Sequence, residues 1–321
     1  MPRVLVTGAS GFVGSILCPM LAERGFTVRA ALRRGKPTPA GAAESVTVGD
    51  IDGGTEWTEV LRDVELVVHL AARAHVLHDA AEAALLYEET NANGTQRLAA
   101  ESARHGVRRF ILLSTVKVNG EESADRPFTA IDLPHPQDAY GGSKWRAEQH
   151  LWETVASAPM QGAVVRAPLV YGSGVRANFF RLLHWVDRER PLPLGAVHNR
   201  RSLVSVWTLS DLLIRLLDHP VAANRTWMVS DGEDVSTPEL VRRIARAMHR
   251  QVRLLRVPVT MLRLVGSLMG KEAEMRRLCG SLTLDITPTR QLLGWAPLMS
   301  MDEALGRTVS WYRSQQCLAP Q

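Results

Sequence analysis

Cysteine is scarce in this chain. Its 321 residues hold three, Cys18, Cys279 and Cys317, far apart and with no CxxC. That spacing excludes a disulfide framework and a cysteine zinc site, and a reducing compartment is the expectation. Long apolar runs are also missing. A bilayer crossing takes roughly 18 consecutive apolar residues. The best candidate, VPVTMLRLVGSLMG at 257–270, is too short and is interrupted by Arg263. The stretch from Arg253 to Lys271 reads as a core helix, the rival being a contact for a lipid-linked sugar diphosphate at a membrane. No basic-then-apolar leader precedes the strand-like RVLVTG, so a cytoplasmic protein without stable membrane insertion is expected. Internal repeats and low-complexity tracts are lacking too.

The net charge is +5 and the isoelectric point about 9.4. Arginine pairs at 33–34, 108–109, 200–201, 242–243 and 276–277 are dispersed, and no basic helix is interleaved with aromatics. Nucleic acid is therefore not expected as a partner. A phosphorylated small molecule accounts for a mild positive excess. His75, His78 and Asp79 have a ligand-like spacing but no second ligand cluster, so no metal is expected. His69 reads as structural.

With 45% hydrophobic and 22% charged residues, the chain suits a globular protein with a sizeable core. Apolar runs such as RVLVTG, ELVVHLAA and RRFILLST alternate with helical patterns. Continuous apolar strands between helices predict an α/β fold, a doubly wound parallel sheet covered on both faces. Beyond residue 172 this rhythm breaks. The expected division is a dinucleotide-binding domain over 1–172 and about 203–220, interleaved with a smaller α/β substrate domain over about 173–202 and 221–321.

The opening VLVTGASGFVG places Gly8, Gly11 and Gly14 between a strand and a helix, with Phe12 and Val13 in the same turn. Gly8 permits the tight turn, Gly11 a close pyrophosphate, and Gly14 close packing of helix on strand. The helix N-terminus offers amides and its dipole to the phosphates. An NAD-binding strand of this kind usually ends on an acid for the ribose hydroxyls. Here TVRAALRR has Leu32 at that place, followed by Arg33 and Arg34. Two guanidiniums suit a 2′-phosphate, so NADP(H) is favoured and NAD(H) is the alternative.

At 138–148 the chain reads DAYGGSKWRAE, with Tyr140 one helical turn before Lys144. A free phenol has a pKa of about 10; an ammonium on the same helical face lowers it. A hydroxyl to hold a substrate oxygen is offered by Ser114 and Thr115 in FILLSTVKVNG.

The TGxxGxxG opening, the Ser/Thr pair and the YxxxK together resemble the extended short-chain dehydrogenase/reductase family of nucleotide-sugar epimerases, dehydratases and reductases. The likeness spans essentially the whole chain. It implies Thr115 as the hydroxyl polarising the substrate, Tyr140 as general acid or base, and Lys144 as its tuner. GDI at 49–51 resembles the adenine contact, through Asp50 and Ile51. Leu70, Ala71 and Ala72 resemble the loop lining the phosphates, and Asn91 the family's buried asparagine. Pro168 and Val170, in GAVVRAPLVYG, complete the implied cofactor contacts. Lys117 departs from the family's small residue and is a candidate for the substrate diphosphate or a keto oxygen, against a lysine that snorkels to solvent. Asn178 and Arg201 resemble diphosphate contacts, and the stretch with Leu194 resembles the uracil lining. Asn178 as an ordinary helix cap and Arg201 as a surface charge stay open. Members often pair as homodimers through helices that here include 140–155.

STVKVNGE, APLVYGSGVRANF and PLGAVHNRRSLVSV look like a branch containing 4-reductases of UDP-4-keto-6-deoxy-N-acetylhexosamines, which serve bacterial surface polysaccharide (O-antigen) synthesis. With Arg33 and Arg34, this favours an NADPH-dependent reductase. The rivals are an NAD-dependent UDP-hexose 4-epimerase and a non-catalytic NADP sensor or scaffold. Arg33→Glu is expected to raise KM for NADPH far more than for NADH; equal changes for both cofactors in steady-state kinetics count against a 2′-phosphate contact.

Overall fold

Strand residues point alternately to opposite faces, and in this chain both faces are apolar. A computed structural model describes residues 1–74, 80–123 and 125–318. Its strands are β1 (Arg3–Thr7), β2 (Thr27–Leu32), β3 (Ala42–Thr47), β4 (Leu66–His69), β5 (Arg109–Thr115), β6 (Gln161–Ala167), β7 (Leu169–Tyr171), β8 (Arg201–Ser205), β9 (Arg225–Met228) and β10 (Asp234–Val235). Seven of them form a sheet in the order β3-β2-β1-β4-β5-β6-β9, with every pairing parallel.

The helices up to residue 218 are α1 (Gly14–Glu23), α2 (Ala80–Tyr87), α3 (Gly94–Arg104), α4 (Ala139–Ser157), α5 (Ala177–Asp187) and α6 (Val206–Asp218). Val4, Val6, Val68 and Val165 face α1 and α6, through Leu17, Leu21, Leu209 and Leu213. Their neighbours Leu5, Val67, Phe110 and Val164 face α3 and α4, through Leu98, Ala147 and Leu151. This alternation is why the strands read as unbroken apolar runs. Full burial of each such side chain contributes about 1.5–3 kcal/mol.

The expected doubly wound α/β fold is the observed one. Its order reverses between β1 and β4, and ligands of such sheets bind outside the strand ends at that switch point. Two details differ from the expected division. β9 lies in the large sheet, whereas the sequence pattern puts residues from 221 onward in the second domain. β8 pairs instead with β7 and β10 in a three-stranded sheet. A short strand in a polar context, RTWM, gives too little pattern to be assigned to a sheet in advance.

The remaining helices are α7 (Thr237–Met248), α8 (Val259–Leu268), α9 (Glu272–Cys279), α10 (Thr287–Leu293) and α11 (Met301–Leu318). A second core, built on Tyr171, Phe179, Leu183, Leu194, Val241, Ile244 and Tyr312, joins α5 and α7 to α11. Several arginines are structural. Arg109 Nη1 donates to the Leu216 and His219 carbonyls at 2.8 and 2.7 Å, closing the end of α6. Among the described residues no helix is long and apolar enough to cross a membrane.

A buried ion pair ties α4 to the sheet. Arg166 Nη2 on β6 donates to Glu148 Oε2 at 2.7 Å, with side chains 4% and 0% exposed. Ser114 on β5 donates to the other Glu148 oxygen, and Arg166 Nη1 donates to Asn119 Oδ1 at 3.1 Å. Removing one member of such a pair strands the other in the interior. Glu148→Ala is expected to lower unfolding stability by about 3–5 kcal/mol, read from urea denaturation. A loss under about 1 kcal/mol would show that the site relaxes enough to solvate Arg166.

Candidate active site

The turn after β1 is shaped so that only glycine fits. Gly8 takes φ +67°, and a Cβ there would stand 2.8 Å from the Ala71 amide nitrogen. A Cβ on Gly11 would stand 3.0 Å from the Gly8 carbonyl oxygen, and one on Gly14 would overlap that oxygen and Ala9. Phe12 packs against the second core. The α1 N-terminus follows at Val13 without a side-chain cap, so its first amides suit an anion. This cradle fits a dinucleotide diphosphate. Leu70, Ala71 and Ala72 run on from β4 beside it, and Ala71 N donates to Thr7 Oγ1 at 3.2 Å.

Arg33 and Arg34 follow β2 directly and are exposed. Arg33 Nη1 stands 3.7 Å from Asp50 Oδ1, and Arg73 Nη2 stands 3.9 Å from the same oxygen. Ile51 is buried, and its side chain leaves no space for a Cβ on Gly94.

A buried hydrogen-bond chain runs from this cradle to α4. Thr7 Oγ1 meets His69 Nδ1 at 2.6 Å, and His69 Nε2 meets Thr95 Oγ1 at 3.0 Å. Thr95 donates to the Asn91 carbonyl at 2.6 Å. Its oxygen therefore accepts from Nε2–H, and Nδ1 accepts the Thr7 hydroxyl proton. That pattern needs a neutral imidazole, and burial, with the Lys144 charge, pulls the His69 pKa down to about 3. Asn91 itself is fully buried, in a π-helical turn over Glu88–Asn93. It accepts from Arg73 N at 2.8 Å and donates to the Arg73 carbonyl and to Ser143 Oγ, both at 3.0 Å. Ser143 donates to the Tyr140 carbonyl at 2.8 Å. Asn91 thus positions the start of α4 through its own protein contacts.

Asp138 caps α4, accepting from Gly141 N at 2.7 Å. It also pairs with Lys117 Nζ, which lies 2.8 Å from Glu121 and 5.9 Å from the Tyr140 ring centroid. Burial pushes the Asp138 carboxyl up, but Lys117, the Gly141 amide and Arg277 hold it below the usual carboxylate range. Lys117, a candidate from the sequence for the substrate diphosphate or a keto oxygen, or else a lysine that snorkels to solvent, is thus engaged by two carboxylates beside the phenol.

Tyr140 is half-buried, edge-on to Tyr87 with centroids 5.7 Å apart. From helical spacing alone, Lys144 is expected to lower the Tyr140 pKa. The surroundings do the reverse: burial, then the Asp138 carboxylate and the neighbouring Tyr87 phenol, raise it. Lys144 is buried as well, and burial lowers its pKa to about 8 against the opposing pull of Glu148. Desolvation is the largest cause of both shifts. The phenol is thus held protonated, as a donor. Thr115 ends β5 in extended backbone and accepts from Lys117 N at 3.3 Å, while Ser114 is committed to Glu148.

Pro168 links β6 to β7, and Val170 packs against the first core. The expected substrate contacts are less gathered. Asn178 lies exposed in the first turn of α5, where it accepts from Arg181 rather than capping the helix. Leu194 is buried in the second core. Arg201 Nη1 is held by the Arg277 and Gly280 carbonyls at 2.6 and 3.1 Å. His75, His78 and Asp79 lie outside the described residues; among those described no cluster could hold a metal ion.

The model of the NAD dependent epimerase/dehydratase family matches residues 4–230. The chain belongs to that family. The chain is 41% identical over 313 residues to a UDP-glucose 4-epimerase of Vibrio cholerae, covering 96% of this chain and 95% of that protein. It is 25% identical to the N-acetyl-alpha-D-glucosaminyl-diphospho-ditrans,octacis-undecaprenol 4-epimerase of Escherichia coli O157:H7, covering 96% and 95% of the two chains. Among solved structures it resembles MoeE5 in complex with UDP-glucose and NAD, with TM-score 0.79 and 26% identity over 99% and 100% of the chains. The fold is shared with the UDP-glucose 4-epimerase of Thermotoga maritima, at TM-score 0.79 and 23% identity over 98% and 99%.

Sequence reasoning missed Asp138 and Glu148. Both carried a signal: an Asp directly before a helix start, and an acid one turn beyond Lys144 in the same helix.

The Lys144 shift has a direction in pH. Its depressed pKa keeps the ammonium below about pH 8 and loses it above. A step that needs that charge slows as pH rises through this value, so kcat is expected to fall above about pH 8. Arginine stays charged, so Lys144→Arg, where active, is expected to hold its rate to higher pH. An identical alkaline limb in the variant's pH–rate profile would assign the fall to another group.

Proposed function

We propose that this chain is a 4-epimerase of a UDP-hexose or UDP-N-acetylhexosamine. The observation that carries this reading is the 41% identity to a UDP-glucose 4-epimerase over 96% of the chain. It fits that activity better than the reductase expected from the sequence. NAD, or NADP held by Arg33 and Arg34, supplies the hydride acceptor when bound; Gly8, Gly11, Gly14, Asp50, Ile51 and Ala71 are the residues to hold it.

Tyr140 Oη takes the proton of the C4 hydroxyl and returns it to the opposite face's alkoxide. Thr115 Oγ1 hydrogen-bonds the same oxygen. Burial keeps Tyr140 protonated, which serves proton return directly. Proton removal needs the phenolate, and there the buried Lys144 ammonium contributes. Asp138 and Lys117 hold the helix start, so the phenol is set before the sugar arrives. For the diphosphate the exposed Asn178 is kept as a contact; Arg201, held by the Arg277 and Gly280 carbonyls, is not.

A second reading is favoured by one observation. β2 ends at Leu32 without an acid and leads into two exposed arginines. An exchangeable NADPH would suit a 4-keto reductase.

Incubating the protein with UDP-glucose and UDP-N-acetylglucosamine, without reductant, separates the two. Formation of the C4 epimer, seen by NMR, is expected, and Tyr140→Phe should cut its rate by about 10²–10⁴. NADPH loss equimolar with a reduced 4-keto sugar, and no interconversion of UDP-hexoses, would establish the reductase instead.

A further inference from the structure

Helix α8 departs from the core helix that its composition suggests. Leu262 and Gly266, one turn apart, are buried. Gly266 lets α9 press in, since a Cβ there would collide with the Met275 side chain. A second face, with Arg263 and Ser267, lines a cleft of about 300 Å³ shared with Glu122, Glu272 and Arg276. The third face would ordinarily be polar. Here it is Met261, Leu264, Val265 and Leu268, a stripe at helical spacing in an arc of about 100°. All four are exposed, Leu264 at 62% and Leu268 at 81%, and exposed Leu255 and Met269 extend the stripe at either end.

Single exposed apolar residues need no explanation, but a contiguous stripe does. Its charges narrow the answer. Residues 251–271 contain Arg253, Arg256, Arg263 and Lys271 and no acidic residue. Arg253 and Arg256 precede the helix and Lys271 follows it, all three exposed. In a twofold contact of this face with a second copy, each cationic segment would meet its like. An anionic, apolar partner answers both features.

We propose that α8 docks this protein on the surface of an anionic phospholipid bilayer. The stripe lies in the boundary between headgroups and acyl chains, and the flanking cations meet lipid phosphates. The helix adsorbs in the plane of the surface and does not span it. The same hairpin reaches the candidate site. Arg277 on α9 pairs with Glu121 at 3.2 Å and lies 3.9 Å from Asp138, the cap of the Tyr140 helix. Docking therefore sets the site beside the membrane surface. This inference is independent of which C4 reaction the site performs.

Flotation of the full chain with phosphatidylcholine vesicles, with and without phosphatidylglycerol, tests it. Binding to the anionic vesicles is expected, at least about tenfold above the neutral ones. Leu264→Ser combined with Leu268→Ser should reduce it about tenfold, as should Arg253→Glu with Arg256→Glu, with circular dichroism and melting temperature unchanged. Absence of flotation at low salt would overturn the proposal. So would a dimer in sedimentation velocity that the two serines dissociate, which would give the face to a second copy.

Discussion

The chain of buried hydrogen bonds from Thr7 through His69 and Thr95 to Asn91 is the constraint on which the candidate site rests. It joins the ends of β1 and β4 to α3, and Asn91 hands the connection on to Arg73 and to Ser143 of α4. Every member is polar and fully buried or nearly so, and such a network stabilises a structure only when each donor and acceptor is matched. The neutral His69 tautomer achieves that match. A charged imidazole there would leave two donors facing the Thr7 and Thr95 hydroxyls and cost a large desolvation. The cradle and the Tyr140 helix are thereby held in one rigid arrangement, which suits a reaction in which cofactor and phenol must meet one carbon.

Charge is handled differently in the layers around that network. The Glu148–Arg166 pair is sealed and hydrogen-bonded on both sides, so it behaves as a fixed part of the core. The Lys117–Asp138–Glu121–Arg277 group is partly open and connects α4 to α9. Charges in such a half-exposed group respond to neighbours and to salt. A diphosphate arriving nearby would compete with these carboxylates for Lys117 and Arg277.

Much of this was legible in the sequence because its causes are local. The parallel sheet follows from apolar runs between helices, and the cradle from three glycines between a strand and a helix. The spacing of Tyr140 and Lys144 places them on one helical face. What was not legible depends on which distant groups end up adjacent. Asp138 meets Lys117, and Arg201 meets the end of α9 at Arg277 and Gly280, through folding of remote segments. The direction of the Tyr140 pKa depended on burial, which spacing does not report. Asn178 and Leu194 rest on likeness of short strings, which does not report which side chains turn inward. Apolar composition cannot tell an inward face from an outward one, so the α8 stripe is indistinguishable from core in the sequence.

The place of β9 has a bearing on how this chain is made. The seventh strand of the large sheet, Arg225–Met228, emerges after β7, α5, β8 and α6. Until it is available, β6 has an open edge lined by unpaired backbone groups, in a strand with six of seven residues buried in the finished fold. An open apolar edge is a template for pairing with other chains. During synthesis the N-terminal part can collapse early, yet it remains prone to association until the ribosome has delivered a segment near residue 228. The interleaving that brings two cores together at the site thus also sets the interval in which the nascent protein is exposed to aggregation.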